Sequence, residues 1–134
     1  MTLTGSCLCG GCQVVVDSTE DKQIACHCTD CQHTSGTAHS SNILPKISDV
    51  KITGSVNEYN STAASGNTVT RVFCGTCGSP LAHKSKAFGD AMAVQTGSFP
   101  EFRKIPFAAE LFVKDRWTGI PEIPGADQAQ TMPE

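Results

Sequence analysis

Apolar and polar positions alternate in short bursts along this chain, and no long stretch repeats at the helical period. Runs rich in Val, Ile, Thr and Phe are separated by Gly, Asn, Ser and Pro, the residues of turns. The pattern predicts strands near Gln13–Val16, Gln23–Cys26, His39–Leu44, Val50–Ile52, Val56–Tyr59, Val69–Phe73, Leu81–His83, Met92–Thr96 and Glu110–Val113. Turn chemistry falls between them at Gly10-Gly11, Gly54-Ser55, Ser65-Gly66-Asn67 and Gly97-Ser98. One short helix is predicted from Thr29 to Thr34, closed by Gly36, because glycine ends helices without steric cost. The fold class is therefore mainly β, built of antiparallel sheets with at most short helices. From Gly119 the chain turns to Pro, Gly, Gln and Glu. Residues 1–124 are expected to form one domain. Residues 125–134 are expected as a flexible tail, too poor in apolar surface to order alone.

Composition narrows the class. A chain of 134 residues suits one domain, and a hydrophobic content of 39% allows a modest core. A charged fraction of 17% and a net charge of -3 lack the basic face of a nucleic-acid binder. The small basic groups Arg103-Lys104 and Lys114-Arg116 read as solvated surface. The first seven residues show neither a basic start nor an apolar run, and no stretch approaches the roughly 20 apolar residues of a membrane span. The expected location is the cytosol, without membrane or nucleic-acid partners. Eight cysteines in a reducing compartment then read as metal ligands before disulfides.

These cysteines fall into three groups: Cys7, Cys9 and Cys12; Cys26, Cys28 and Cys31; Cys74 and Cys77. The turn Cys74-Gly75-Thr76-Cys77 places two sulfurs on one side of a tight loop and supplies half of a tetrahedral thiolate site. The other half can come from Cys7 and Cys9, which share a face in an extended segment. It can equally come from Cys9 and Cys12, a second C-x-x-C turn, and spacing does not choose between them. Cys26, Cys28 and Cys31 offer three thiolates from six residues. Three ligands leave one position on a zinc ion open for water or substrate, the mark of a catalytic site. If Cys12 closes this set instead, the eight divide into two saturated sites.

The remaining candidates are less specific. His27 lies between two ligands and faces away from a metal held by both, so it reads as packed or surface. His33 can line an open site or lie on the helix surface. His39 and His83 have no sequence neighbours that argue for function. Trp117 reads as a core or pocket-wall residue, and Gln32 places an amide beside Cys31.

The blocks Gly5-Ser6-Cys7-Leu8-Cys9-Gly10, Cys26-His27-Cys28-Thr29-Asp30-Cys31-Gln32 and Phe73-Cys74-Gly75-Thr76-Cys77-Gly78-Ser79 resemble, in order, the pattern of the glutathione-dependent formaldehyde-activating enzyme and centromere protein V family. Phe112–Trp117 looks like its C-terminal strand, and the resemblance runs from about Gly5 to Pro124. It implies a β-tent fold around a structural four-cysteine zinc site formed by Cys7, Cys9, Cys74 and Cys77. It implies a second, open zinc at Cys26, Cys28 and Cys31, hence two zinc ions per chain, with Cys12 as a small buried hydrophobe. The implied activity is that of a carbon-sulfur lyase on adducts of glutathione, or a similar thiol, with formaldehyde or another small aldehyde. Arg71, Arg103, Lys104 and Arg116 are each able to meet a glutathione carboxylate, and spacing selects none. Centromere-associated relatives keep a second class in view, a zinc-stabilised binding module without catalysis. A zinc or thiol-stress buffer is a third.

Overall fold

The computed structural model describes residues 2–132. In chain order its elements are β1 (Thr2–Ser6), β2 (Gln13–Asp17), β3 (Gln23–Cys26), α1 (Thr29–Ser35), β4 (Ser40–Ile43), β5 (Val50–Thr53), β6 (Val56–Thr62), β7 (Thr68–Cys74), β8 (Pro80–Ser85), β9 (Ala93–Gln95), β10 (Phe107–Leu111) and β11 (Asp127–Gln128). Short 3-10 turns fill several connections. The chain is mainly β, with one α-helix among the described residues, as the alternating pattern predicts.

Two sheets carry the structure. The smaller has the order β1-β2-β5 and is antiparallel. The larger has the order β11-β10-β3-β4-β9-β8-β7-β6. Alternation decides what lies between them. Val14 and Val16 on β2 point inward and are fully buried, with Leu3 of β1 beside them. They pack with Ile43, Val72, Leu81 and Val94 of the larger sheet and with Phe99 and Phe102. Burying a Val or Leu side chain stabilises a fold by about 1.5–3 kcal/mol, so this layer holds the sheets together.

The larger sheet departs from the antiparallel expectation at one end. There β10 runs parallel to both β3 and β11. Parallel pairing needs a long return connection, and the chain between β3 and β10 supplies it. Residues 127–129 belong to the segment expected as a tail, yet they pair with β10, and Ala129 and Thr131 also bond to the chain that follows it. Ala129 N–H donates to Glu110 O at 2.9 Å, and Val113 N–H donates to Ala129 O at 3.0 Å. Backbone pairing, which composition does not encode, orders this stretch. Met1, Pro133 and Glu134, parts of the expected domain and tail, lie outside the described residues.

The segment Phe112–Trp117, expected as strand, leaves the sheet. Phe112 has φ 55°, a left-handed conformation, and a 3-10 turn follows at Val113–Asp115. Trp117 is 46% exposed and lies at the surface rather than in a core or pocket wall. No helix among the described residues is long and apolar enough to cross a membrane.

Candidate metal centres and the adjoining cavity

The β1–β2 and β7–β8 turns bring four cysteines together. In the first turn Gly10 N–H donates to Cys7 O at 3.1 Å and Cys7 N–H to Cys12 O at 3.2 Å. In the second, Cys74 N–H donates to Ser79 O at 3.0 Å and Gly78 N–H to Cys74 O at 2.9 Å. The sulfurs of Cys7, Cys9, Cys74 and Cys77 all lie within 4.8 Å of one another. Cys7 and Cys9 are 3.5 Å apart, and Cys9 and Cys74 are 3.8 Å apart. Tetrahedral sulfurs at about 2.3 Å from zinc would be separated by about 3.8 Å, so the set fits such an ion.

Backbone donors surround the same sulfurs. Cys12 N–H points at Cys7 Sγ (3.2 Å), Gly11 N–H at Cys9 Sγ (3.4 Å), and Thr76 and Cys77 N–H at Cys74 Sγ (3.3 and 3.4 Å). Such donors favour thiolates over thiols. The Cys77 and Thr76 amides lower the Cys74 pKa, and the Ser79 hydroxyl and amide pull Cys77 down to about 5. The Gly11 amide acts the same way on Cys9. Hydrogen bonds with the Cys7 and Cys74 thiols, then burial, outweigh it and push Cys9 up to about 12. A divalent ion at the centre would deprotonate the coordinating thiols.

Cys12 stands apart from both sets. It is fully buried in the core cluster beside Cys7 and Cys74, and burial together with Cys74 pushes its thiol up to about 11. It belongs to neither group of sulfurs within metal-binding range, so the eight cysteines do not separate into two sets of four.

The second set is Cys26, Cys28 and Cys31, again with sulfurs within 4.8 Å of one another. Cys26 ends β3, and Cys28 caps α1, its sulfur accepting from Cys31 N–H at 3.4 Å. Helix α1 ends at Gly36 in the left-handed conformation, as the sequence predicts. Hydrogen bonding among the three thiols raises Cys26 and lowers Cys31, so metal-free they share protons rather than all ionise.

His27 faces away from the sulfurs, as strand parity predicts. It is fully buried, and its Nε2 bonds to Glu110 Oε1 at 2.8 Å. Glu110 Oε2 accepts from Gln128 Nε2 (2.7 Å), Ile123 N–H (2.9 Å) and Arg116 Nη2 (3.2 Å). Arg116, expected as solvated surface, thus neutralises a buried carboxylate. Burial pushes Glu110 upward, but the Ile123, Gln128 and His27 bonds with the Arg116 charge bring it down to about 2. The Gln32 amide braces the loop by donating to His27 O (2.9 Å) and Asp115 O (3.1 Å). His33 is exposed and bonds to Thr29 O at 2.8 Å, a helix-surface position. His39 packs edge-on against His27.

A cavity of about 210 Å³ opens beside the second set, lined among others by Cys26, Cys28, Cys31, Arg71, His83 and Phe112. His83 was silent in the sequence. The register pairing it with Arg71 across β7 and β8 brings it here. Burial, then the Arg71 charge, lowers its pKa to about 4 and keeps it neutral near pH 7. Gln95 Nε2 donates to Asn42 Oδ1 (2.8 Å) and to His83 Nδ1 (3.2 Å), which leaves Nε2 as the protonated ring nitrogen. Glu110 and His83 are the site residues that local sequence reasoning missed, while Arg71, one of four basic candidates there, is the one that the strand register brings to this cavity. Only their long-range pairing marks them.

The sequence model of the glutathione-dependent formaldehyde-activating enzyme family matches residues 2–115. The crystal structure of a Rhodobacter sphaeroides protein superposes with a TM-score of 0.60 at 17% identity, covering 80% of this chain and 99% of that one. That likeness is one of fold. No curated protein matches the chain. With most of its length matched, the chain belongs to the glutathione-dependent formaldehyde-activating enzyme family.

Proposed function

We propose that this family member is a zinc-dependent enzyme of carbon-sulfur chemistry, acting on adducts of glutathione or a similar thiol with formaldehyde or another small aldehyde. The observation that carries the reading is a set of three sulfurs, with no fourth ligand atom beside them among the described residues, bordering a cavity. Cys7, Cys9, Cys74 and Cys77 would hold a structural zinc, and Cys26, Cys28 and Cys31 a second ion. When bound there, zinc favours the thiolate form of a nearby thiol and polarises a nearby carbonyl.

The chain's own residues set the stage for that chemistry. In the condensation a C–S bond forms, the C=O π bond is lost, and the thiol proton ends on the former carbonyl oxygen. No electrons leave the reactants, so no redox partner is needed. A free thiol has a pKa of about 8.5 and is mostly protonated at neutral pH. Neutral His83 lines the cavity with a protonated Nε2, a donor suited to the aldehyde oxygen. Phe112 and the apolar hairpin tip at Ala63 and Ala64 limit water around the reactants.

The test is a thiol–aldehyde condensation assay with glutathione and formaldehyde on protein purified without chelator. Cys28→Ser should lose at least about a hundredfold in kcat/KM, the scale expected when a reacting group loses its electrostatic support. Full activity in that variant would sink the reading. The scaffold alternative predicts no turnover in the wild type either.

A further inference from the structure

The position of Arg71 points to what the cavity selects. It sits mid-way along β7, paired with Tyr59 on one side and His83 on the other. Alternation divides the strand: Val72 and Cys74 belong to the core layer, while Val69 and Arg71 line the cavity beside the second cysteine set. The guanidinium Nε and Nη1 are out of contact with solvent and have no acceptor. Among the described residues no salt bridge includes Arg71. The other three basic candidates are placed differently. Arg116 is bonded to Glu110, while Arg103 and Lys104 are exposed and line no part of this cavity. Apart from Arg71, the one formally charged residue around the cavity among the described residues is Asp30, which is exposed.

Arg71 is half-buried, and leaving two of its guanidinium nitrogens out of water without an acceptor is costly, so the fold gains when an anion arrives. We propose that Arg71 is the anion clamp of this cavity, selecting thiols or thiol adducts that carry a carboxylate. The proposal rests on the thiol reading above and adds the recognition element. A guanidinium is planar, always charged and matched to a carboxylate, which suits it better than the point charge of lysine. About 210 Å³ accommodates a small thiol acid or the acidic end of a larger thiol. The rival role for the same charge is to balance the metal-bound thiolates, since three thiolates around a divalent ion leave one net negative charge.

Calorimetric titration separates these. The probes are 3-mercaptopropionate, 2-mercaptoethanol and propionate, added to wild type, Arg71→Gln and Arg71→Lys as isolated with metal, with metal content measured in each. The expected result is mercaptopropionate binding about tenfold or more tighter than mercaptoethanol, the worth of one charge-assisted bond. Arg71→Gln should erase the difference at unchanged metal content, and Arg71→Lys should keep part of it. Equal binding of both thiols to the wild type overturns the clamp and leaves the thiol reading standing. Arg71-dependent binding of propionate as tight as that of mercaptopropionate, with no binding of mercaptoethanol, keeps the anion clamp and removes the thiol reading. Absence of binding by all three overturns both. Loss of metal in Arg71→Gln with equal weakening of both thiols assigns Arg71 to charge balance and overturns the clamp.

Discussion

Gly54 shows how one residue can set the geometry of a cysteine turn. Its φ is +106°, and a Cβ there would stand 2.2 Å from Gly11 O and 2.8 Å from Cys12 Cα. Both contacts are with backbone, which cannot swing aside. Gly54→Ala should therefore lose at least about 2 kcal/mol in urea denaturation, combining strain at positive φ with displacement of the Cys9–Cys12 turn. An unchanged midpoint would mean the approach is looser than the geometry indicates. At this scale the sequence was most informative where chemistry is local. Cysteine spacing marked the Cys26, Cys28 and Cys31 set and the Cys74–Cys77 half of the other, the family resemblance chose Cys7 and Cys9 over Cys9 and Cys12, and parity placed His27 on the opposite side from Cys26 and Cys28. Glu110 was read as part of a strand and nothing more, because its partners at His27, Arg116, Ile123 and Gln128 come from four separate stretches.

Elements were legible where side chains alternate strongly. The strand at Gln23–Cys26 matches its prediction, and β2, β5 and β7 match theirs to within a residue or two. The first strand was missed because Thr2–Ser6 offers one large apolar side chain, and Gly5 must stay small against Phe99 and Ser98 O. The last strand was missed because its order comes from hydrogen bonds to β10. Those bonds make Glu110 a test of the element. Its folded pKa lies below the unfolded value, so its stabilisation is complete above about pH 4.5 and is lost as pH falls through about 2. Wild type should exceed Glu110→Gln by on the order of 3 kcal/mol near neutral pH, and the gap should close on acidification. Acid loss from thiolate protonation is common to both proteins and cancels in the difference. A gap that stays constant with pH would show that Glu110 acts through shape alone.

For the whole molecule, the two proposed zinc sites differ in what they join. The four-cysteine set ties the turn of the small sheet to the β7–β8 turn of the large one. Metal bound there contributes directly to folding free energy. The three-cysteine set joins only the end of β3 to α1. Stepwise chelation should release the second ion with native circular dichroism preserved, and release of the first should unfold the domain. A fully stripped protein that keeps its native spectrum would contradict this. Elemental analysis should give two zinc ions per chain in wild type and in Cys12→Ala, since Cys12 lies outside both sets. A fall to one in the variant would make Cys12 a ligand.

The hairpin between β6 and β7 turns at Gly66, with Ala63 N–H donating to Asn67 O at 2.8 Å. Its tip at Ala63, Ala64, Ser65 and Asn67 borders the cavity yet supplies neither a metal-binding sulfur nor a core residue. Substitutions or insertions there alter the shape of the opening while leaving both sulfur sets and the sheet interface untouched. The fold thus separates the part that can drift from the part that cannot. Related chains can acquire different substrate ranges by changing one surface turn, and a library confined to residues 63–67 is the economical route to redirecting this one.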